Sequence, residues 1–157
     1  MAQQTLLSQQ VGRITGEFST IIMQQSIDGL LQLLQRENLS MPRMVTLMYL
    51  SRRNCATISD IREHLNLMLG TTSQIVDQLV EGGFVERHES REDRRQKLVT
   101  LSERGRRIVD EVRDARAAQM SQQLNTLPEP LLEQMLHVMR EVVAHLVTNP
   151  RNSDSDS

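Results

Sequence analysis

Aromatic side chains are almost missing from this chain of 157 residues: there is no Trp, one Tyr (Tyr49) and two Phe (Phe18 and Phe84), 2% in all. Stacking of unpaired bases on an aromatic platform is therefore not expected. The core has to come from Leu, Ile, Val and nine Met, within a hydrophobic content of 38%. A single cysteine, Cys55, excludes an intramolecular disulfide framework and is compatible with a reducing compartment. No stretch approaches the roughly 18 consecutive apolar residues of a membrane span, and MAQQTLLSQQ lacks the basic and apolar regions of a secretory signal. The expectation is a soluble cytoplasmic protein with no membrane partner. Catalytic signatures are missing too: no nucleophile elbow, phosphate loop, HExxH or paired-cysteine motif occurs, so neither an enzyme nor a cofactor is expected.

Excess charge is small, a net of -2, but it is segregated. From Phe84 to Arg107 there are eight Lys or Arg against five Asp or Glu, a local net of +3, which leaves -5 on the rest. Lysine is nearly absent: of 18 basic residues only Lys97 is Lys, a bias that suits forked contacts to phosphate but equally follows from genome composition. The basic segment has a recognisable form. Phe84 to Arg87 and Lys97 to Leu101 read as antiparallel strands of a hairpin whose tip carries Arg91, Arg94 and Arg95, placed to reach phosphates or a narrow minor groove.

Around the hairpin the spacing is helical. Val11, Ile14, Phe18, Ile21, Ile22, Leu30, Leu31 and Leu34 recur at three- and four-residue steps, predicting one long amphipathic helix over 6–36, with Gly16 and Gly29 as points where it can bend. Ser40 and Pro42 open a second helix to about Arg53; Thr57 with Asp60 opens a short third one through Leu65. A fourth covers about Gly70 to Glu81, burying Thr72, Ile75, Val76 and Leu79, and ends at Gly82-Gly83. Ser102 caps a long fifth helix, and Pro128 and Pro130 introduce a sixth with Leu131, Met135, Met139, Val142 and Leu146 on one face. The tail, 149–157, has the composition of a disordered segment. No internal repeat or linker splits the chain, so 1–148 reads as a single domain.

Helix, helix, helix, hairpin over about 40–101 is the order of a winged helix-turn-helix, in which the outward face of the last helix enters the major groove and the wing grips adjacent backbone. ISDIREHLNL, IVDQLVEGGFVER and EDRRQKLVTLSERG, arriving in register, closely resemble the MarR family of transcriptional regulators. The fold class expected is mainly α with a small β-hairpin wing. The resemblance implies a sequence-specific, ligand-responsive repressor. It also implies that helices 6–36 and 102–148 intertwine with a second subunit, and that the homodimer's two wings embrace a pseudo-palindromic operator in double-stranded DNA. Long helices with one apolar stripe each need such a partner to cover them.

The fourth helix departs from the family pattern. No Lys or Arg occurs from Glu63 to Glu86, so arginine readout of guanine from this helix is excluded. Gln74 and Gln78 are suited to adenine edges, and Thr71 or Ser73 to a phosphate or a thymine methyl. Asp77 on the same face would be repelled by phosphate, and similar family members pair the corresponding Asp with a wing arginine; Arg87 and Arg95 are the two choices here. Asp93 beside Arg94 and Arg95 matches the family's acidic-arginine wing motif, although Ser90 replaces an acidic residue usual three positions earlier. The resemblance further implies a cleft for a small aromatic or phenolic effector, with Phe18, Ile22, Met44, Met48, Tyr49, Ile108 and Val112 as its walls; the same residues also suit a plain core. Cys55 reads as an inert small residue, and His137, Glu141 and His145 as solvated helix surface rather than a metal site. A fourth helix without positive charge keeps a second function open, a helical dimer that binds protein and not DNA.

Overall fold

Three- and four-residue apolar steps fold into helices, and the alternating runs into strands. The computed structural model describes residues 2–89 and 97–148, with side chains other than those of residue 2 and residues 22–28. Among these residues the order is α1 (Ala2–Arg36), α2 (Met41–Arg53), β1 (Cys55–Thr57), α3 (Ile58–Leu65), α4 (Leu69–Glu81), β2 (Val85–Glu89), β3 (Lys97–Leu101), α5 (Glu103–Leu124) and α6 (Glu129–Thr148). Two compact units divide the chain after Ala118. No described helix is long and apolar enough to cross a membrane.

The first unit is held by local signals that agree with its packing. Thr57 Oγ1 accepts the Asp60 N–H at 3.1 Å, and Asp60 Oδ2 accepts the Thr57 N–H at 2.8 Å, so the capping box starts α3 abruptly after the strand. Ser40 opens α2 without a side-chain cap; its hydroxyl oxygen accepts from Arg43 Nε at 3.2 Å instead. At the end of α4, Gly83 adopts φ 70°, which lets the Phe84 N–H reach back to Leu79 O at 2.9 Å. Leu47, Leu50, Ile61, Val76, Leu79 and Val99 are fully buried, joined by Leu33 and Leu34 from α1 and by Ile108, Val109 and Val112 from α5. Thr46 and Thr72 share this core at no cost in unpaired hydroxyls, donating to Pro42 O at 2.8 Å and Met68 O at 3.1 Å.

One element differs from the sequence expectation. Residues 55–57, between the second and third helices and not read as a strand, form β1, antiparallel to β3 with Ala56 opposite Val99, in a sheet of order β1-β3-β2. Three residues are too few for an alternating pattern to register, and only buried Ala56 contributes to the core. β2 pairs with β3 from Val85 opposite Leu101 to Glu89 opposite Lys97, two residues longer than Arg87.

A charged junction ties α1, α4 and α5. Arg36 Nη2 donates to both carboxylate oxygens of Glu111 at 2.7 Å and Nε to Glu37 at 3.0 Å, while Arg104 Nη2 donates to Glu37 at 3.1 Å. Arg104 Nη1 also donates to Gly82 O at 2.8 Å, closing the end of α4, and its guanidinium lies 4.3 Å from the Phe84 ring centre. The two guanidinium groups, Arg104 first, hold the Glu37 carboxyl below its usual range. A depressed carboxyl stabilises the fold above its unfolded value, about 4.3, and that contribution disappears as pH falls through the lower folded value. Both arginines are half exposed, so the expected size is under about 1 kcal/mol. Glu37→Gln should lower the unfolding free energy read from urea titration at pH 7 by that amount, with the gap to the parent protein closing as pH falls below the ordinary carboxylate range. A gap that does not depend on pH would show that the charge contributes nothing.

The second unit, 119–157, contains α6, which has no buried residue: Leu131, Leu136, Val138, Met139, Val142, Val143, Leu146 and Val147 are all exposed.

Candidate nucleic-acid interface

Helical spacing divides α4 into two faces. Thr72, Ile75, Val76 and Leu79 are buried, and the opposite side presents Gly70, Thr71, Gln74, Asp77 and Gln78 to solvent. Ser73 lies at the boundary, half-buried. Leu69 and Met68, at the entry to the helix, are also exposed, at 56% and 81%. No motif marked these two. In the sequence Leu67, Met68 and Leu69 look like a core run, yet only Leu67 packs against the core.

Strand alternation then brings the wing to the helix. Val85 and Arg87 point to the same side of β2, the side covered by helices, and Val99 opposite Arg87 is buried. Arg87 Nη2 accordingly lies 2.7 Å from Asp77 Oδ1, with the arginine side chain 28% exposed and the aspartate 53%. This is a close contact of opposite charges and not an aligned hydrogen bond; Arg87 Nε and Nη2 are shielded from solvent without a hydrogen-bond partner among the described residues. Arg87, one of the two arginines that suited Asp77, lies against it. Arg91, Asp93, Arg94 and Arg95, together with the rest of 90–96, lie outside the described residues.

Six of the seven residues expected around an effector have described side chains. Met44, Ile108 and Val112 are packed inside the core. Met48 and Tyr49 pack at its margin, and the Tyr49 ring stacks on His64 of α3 with centroids 4.2 Å apart and planes 19° from parallel. Phe18 is half-buried, and the Ile22 side chain lies outside the described residues. A surface cavity of about 260 Å³ between α2, the end of β3 and α5 is bordered by Ser51, Asn54, Arg106, Asp110 and Arg113, and none of the six described residues lines it. Apolar residues at helical spacing have one pattern whether they fill a core or wall a cleft, which is why the sequence left both open. Cys55 is an exposed free thiol on β1. His137 Nε2 sits 3.4 Å from Glu141 Oε1 on an exposed face, and no group of three metal-ligating side chains occurs among the described residues.

The arrangement has α2, α3 and α4 followed by a hairpin, with a polar outer face on the last helix and a strand charge anchored to that face. Residues 39–97 match the MarR family. They form a MarR-family domain. The HTH-type transcriptional regulator YfiV of Bacillus subtilis (strain 168), itself uncharacterized, is 39% identical over 71 residues, 45% of this chain and 44% of that relative, so the match spans less than half the length of that curated relative. Among solved structures, the transcriptional regulator Tm0710 from Thermotoga maritima superposes with a TM-score of 0.76 at 16% identity, over 90% of this chain and 96% of that one. The S. aureus MepR-DNA complex gives a TM-score of 0.62 at 22% identity, over 83% and 96%. These structural likenesses are likenesses of fold: the MarR-family domain and its flanking helices make a mainly helical winged helix with a small antiparallel sheet.

Proposed function

We propose that this chain is a transcriptional regulator that binds double-stranded DNA as a homodimer, on a pseudo-palindromic operator, with α4 in the major groove and the wing against neighbouring backbone. The observation that carries the proposal is the pairing of an exposed polar face on α4 (Thr71, Gln74, Gln78) with a wing strand tethered to that helix through Arg87 and Asp77. Asp77 serves here as the residue that orients the wing. The likeness of fold to S. aureus MepR, solved in complex with DNA, supports the same reading.

A partner subunit has a surface to cover. Leu6, Leu7, Val11, Ile14 and Ile21 of α1 are exposed at helical spacing, as are the apolar residues of α6. Exposed stripes of this length mark association surfaces, and a two-fold axis supplies a self-complementary match. A dimer covering two successive grooves blocks that DNA to other proteins, which makes repression the proposed outcome. A small aromatic or phenolic effector would release DNA only by binding better to a dimer shape whose reading helices no longer match successive grooves.

Sedimentation at micromolar concentration should show a dimer. Duplexes with two half-sites about 34 Å apart should bind more tightly than those with one. A monomer, or equal affinity for single and paired half-sites, refutes the proposed mode. The lack of Lys and Arg from Glu63 to Glu86 favours one other function, a dimeric protein-binding module; failure to bind any duplex at low salt would select it.

A further inference from the structure

We infer that α4 reads a half-site of consecutive A·T pairs, with Met68 and Leu69 covering thymine methyl groups and Gln74 and Gln78 pairing with adenine edges. This inference rests on the DNA-binding function proposed above. It is carried by two large aliphatic side chains held in water at the entry to the helix, 81% and 56% exposed, while Ile75, Val76 and Leu79 of the same helix are buried. The N-terminal residues of a recognition helix are the ones that meet base edges. Met68, Thr71, Gln74 and Gln78 follow one another at three- and four-residue steps, so the aliphatic lip continues into the amide stripe.

The chemistry of this face selects the base pair. Guanine is read by the forked donors of Arg or by Lys, and neither occurs from Glu63 to Glu86. Cytosine is read by a carboxylate that accepts from its amino group; Asp77 already faces Arg87, and Glu81 stands in the last turn, at the far end from Met68. What remains is an amide, which fits the N6 and N7 edge of adenine, and aliphatic surface, which fits the methyl group of thymine. Both belong to the same pair.

Selection from random duplexes should return half-sites with an A·T core. In the selected duplex, replacing thymine by uracil removes the methyl group and leaves every hydrogen bond, and replacing adenine by 7-deazaadenine removes the N7 acceptor. The full-length protein should lose about fourfold in affinity per covered methyl on uracil substitution. The Met68→Ala/Leu69→Ala protein should bind the thymine and uracil duplexes alike, with an unchanged melting temperature because both side chains are exposed. Gln74→Ala should lose the response to 7-deazaadenine, about tenfold in the parent protein. A G·C core, or indifference of the parent protein to uracil while duplex binding persists, overturns the inference alone. Absence of binding to every duplex overturns the DNA-binding function with it.

Discussion

Gly105→Ala is expected to destabilise the first unit by about 3 kcal/mol, the upper part of the range for overpacked sites. A methyl group at Gly105 would stand 2.1 Å from the carbonyl oxygen of Phe84, 3.1 Å from its carbonyl carbon and 3.2 Å from Leu101 Cδ2. The obstacle is backbone, and it is pinned. Phe84 O accepts the Ser102 N–H at 3.0 Å, and Ser102 Oγ donates to Gly83 O at 2.7 Å while accepting from Gly105 N–H at 3.0 Å. Moving Phe84 out of the way therefore breaks the joint between the end of α4, the start of β2 and the first turn of α5. Helix propensity acts in the opposite sense, since Ala in a helix is favoured over Gly by about 1 kcal/mol. The sign thus decides the cause: urea unfolding should show a lower midpoint at an unchanged slope. Gly16→Ala, where nothing lies within 4 Å, should be neutral or stabilising. A midpoint for Gly105→Ala at or above that of the parent would mean that the α5 turn is not seated against Phe84 as described.

The close approach of Gly105 to Phe84 is not legible in the sequence, and the reason is general. A glycine inside a helical pattern advertises only a weak helix position, because the atom it avoids belongs to a segment about twenty residues earlier. Local chemistry is legible wherever a short-range rule completes itself: the Thr57 and Asp60 capping box, the buried side of α4 and the Gly82-Gly83 stop all follow from residues within one or two turns. Pairings across the sheet are not. Asp77 has two arginines to choose from until the register of β2 on β3 puts Arg87 on the helix-facing side. Arg104 has no assigned role in the sequence, since its partners Glu37 and Gly82 come from the end of α1 and from the end of α4. Burial also misleads by type. Met68 and Leu69 carry the composition of a core and stand in water, whereas Met44 carries the composition of an adaptable binding wall and is packed solid.

The other large effect expected is on DNA, at the wing tip. Arg94→Ala/Arg95→Ala should weaken binding to chosen and random duplexes by the same factor, because phosphate contacts position a protein and base contacts specify its site. Each phosphate that is no longer neutralised takes about 0.9 from the slope of log affinity against log salt, so the pair of arginines accounts for about 1.8. Referred to 1 M salt, where the counterion contribution vanishes, that is about a 60-fold weakening at 0.1 M for one wing. The slope also counts wings. In the proposed homodimer each subunit brings one, and if both sit on phosphate the change doubles to about 3.6, with the weakening at 0.1 M rising to about 4,000-fold. The local charge supports the larger figure, because the segment from Phe84 to Arg107 holds eight basic residues against five acidic ones in a chain whose net charge is negative. Fluorescence anisotropy with a selected and a scrambled duplex, from about 0.05 to 0.3 M salt, measures both numbers in the range where the counterion effect is steep. A slope change near 1.8 would place a single wing on DNA, and a selective weakening on the chosen duplex would turn these arginines from anchors into readers of sequence. Unchanged affinity at the lowest salt would remove the wing from the interface and leave α4 to hold the duplex alone, on a face with no positive charge to hold it.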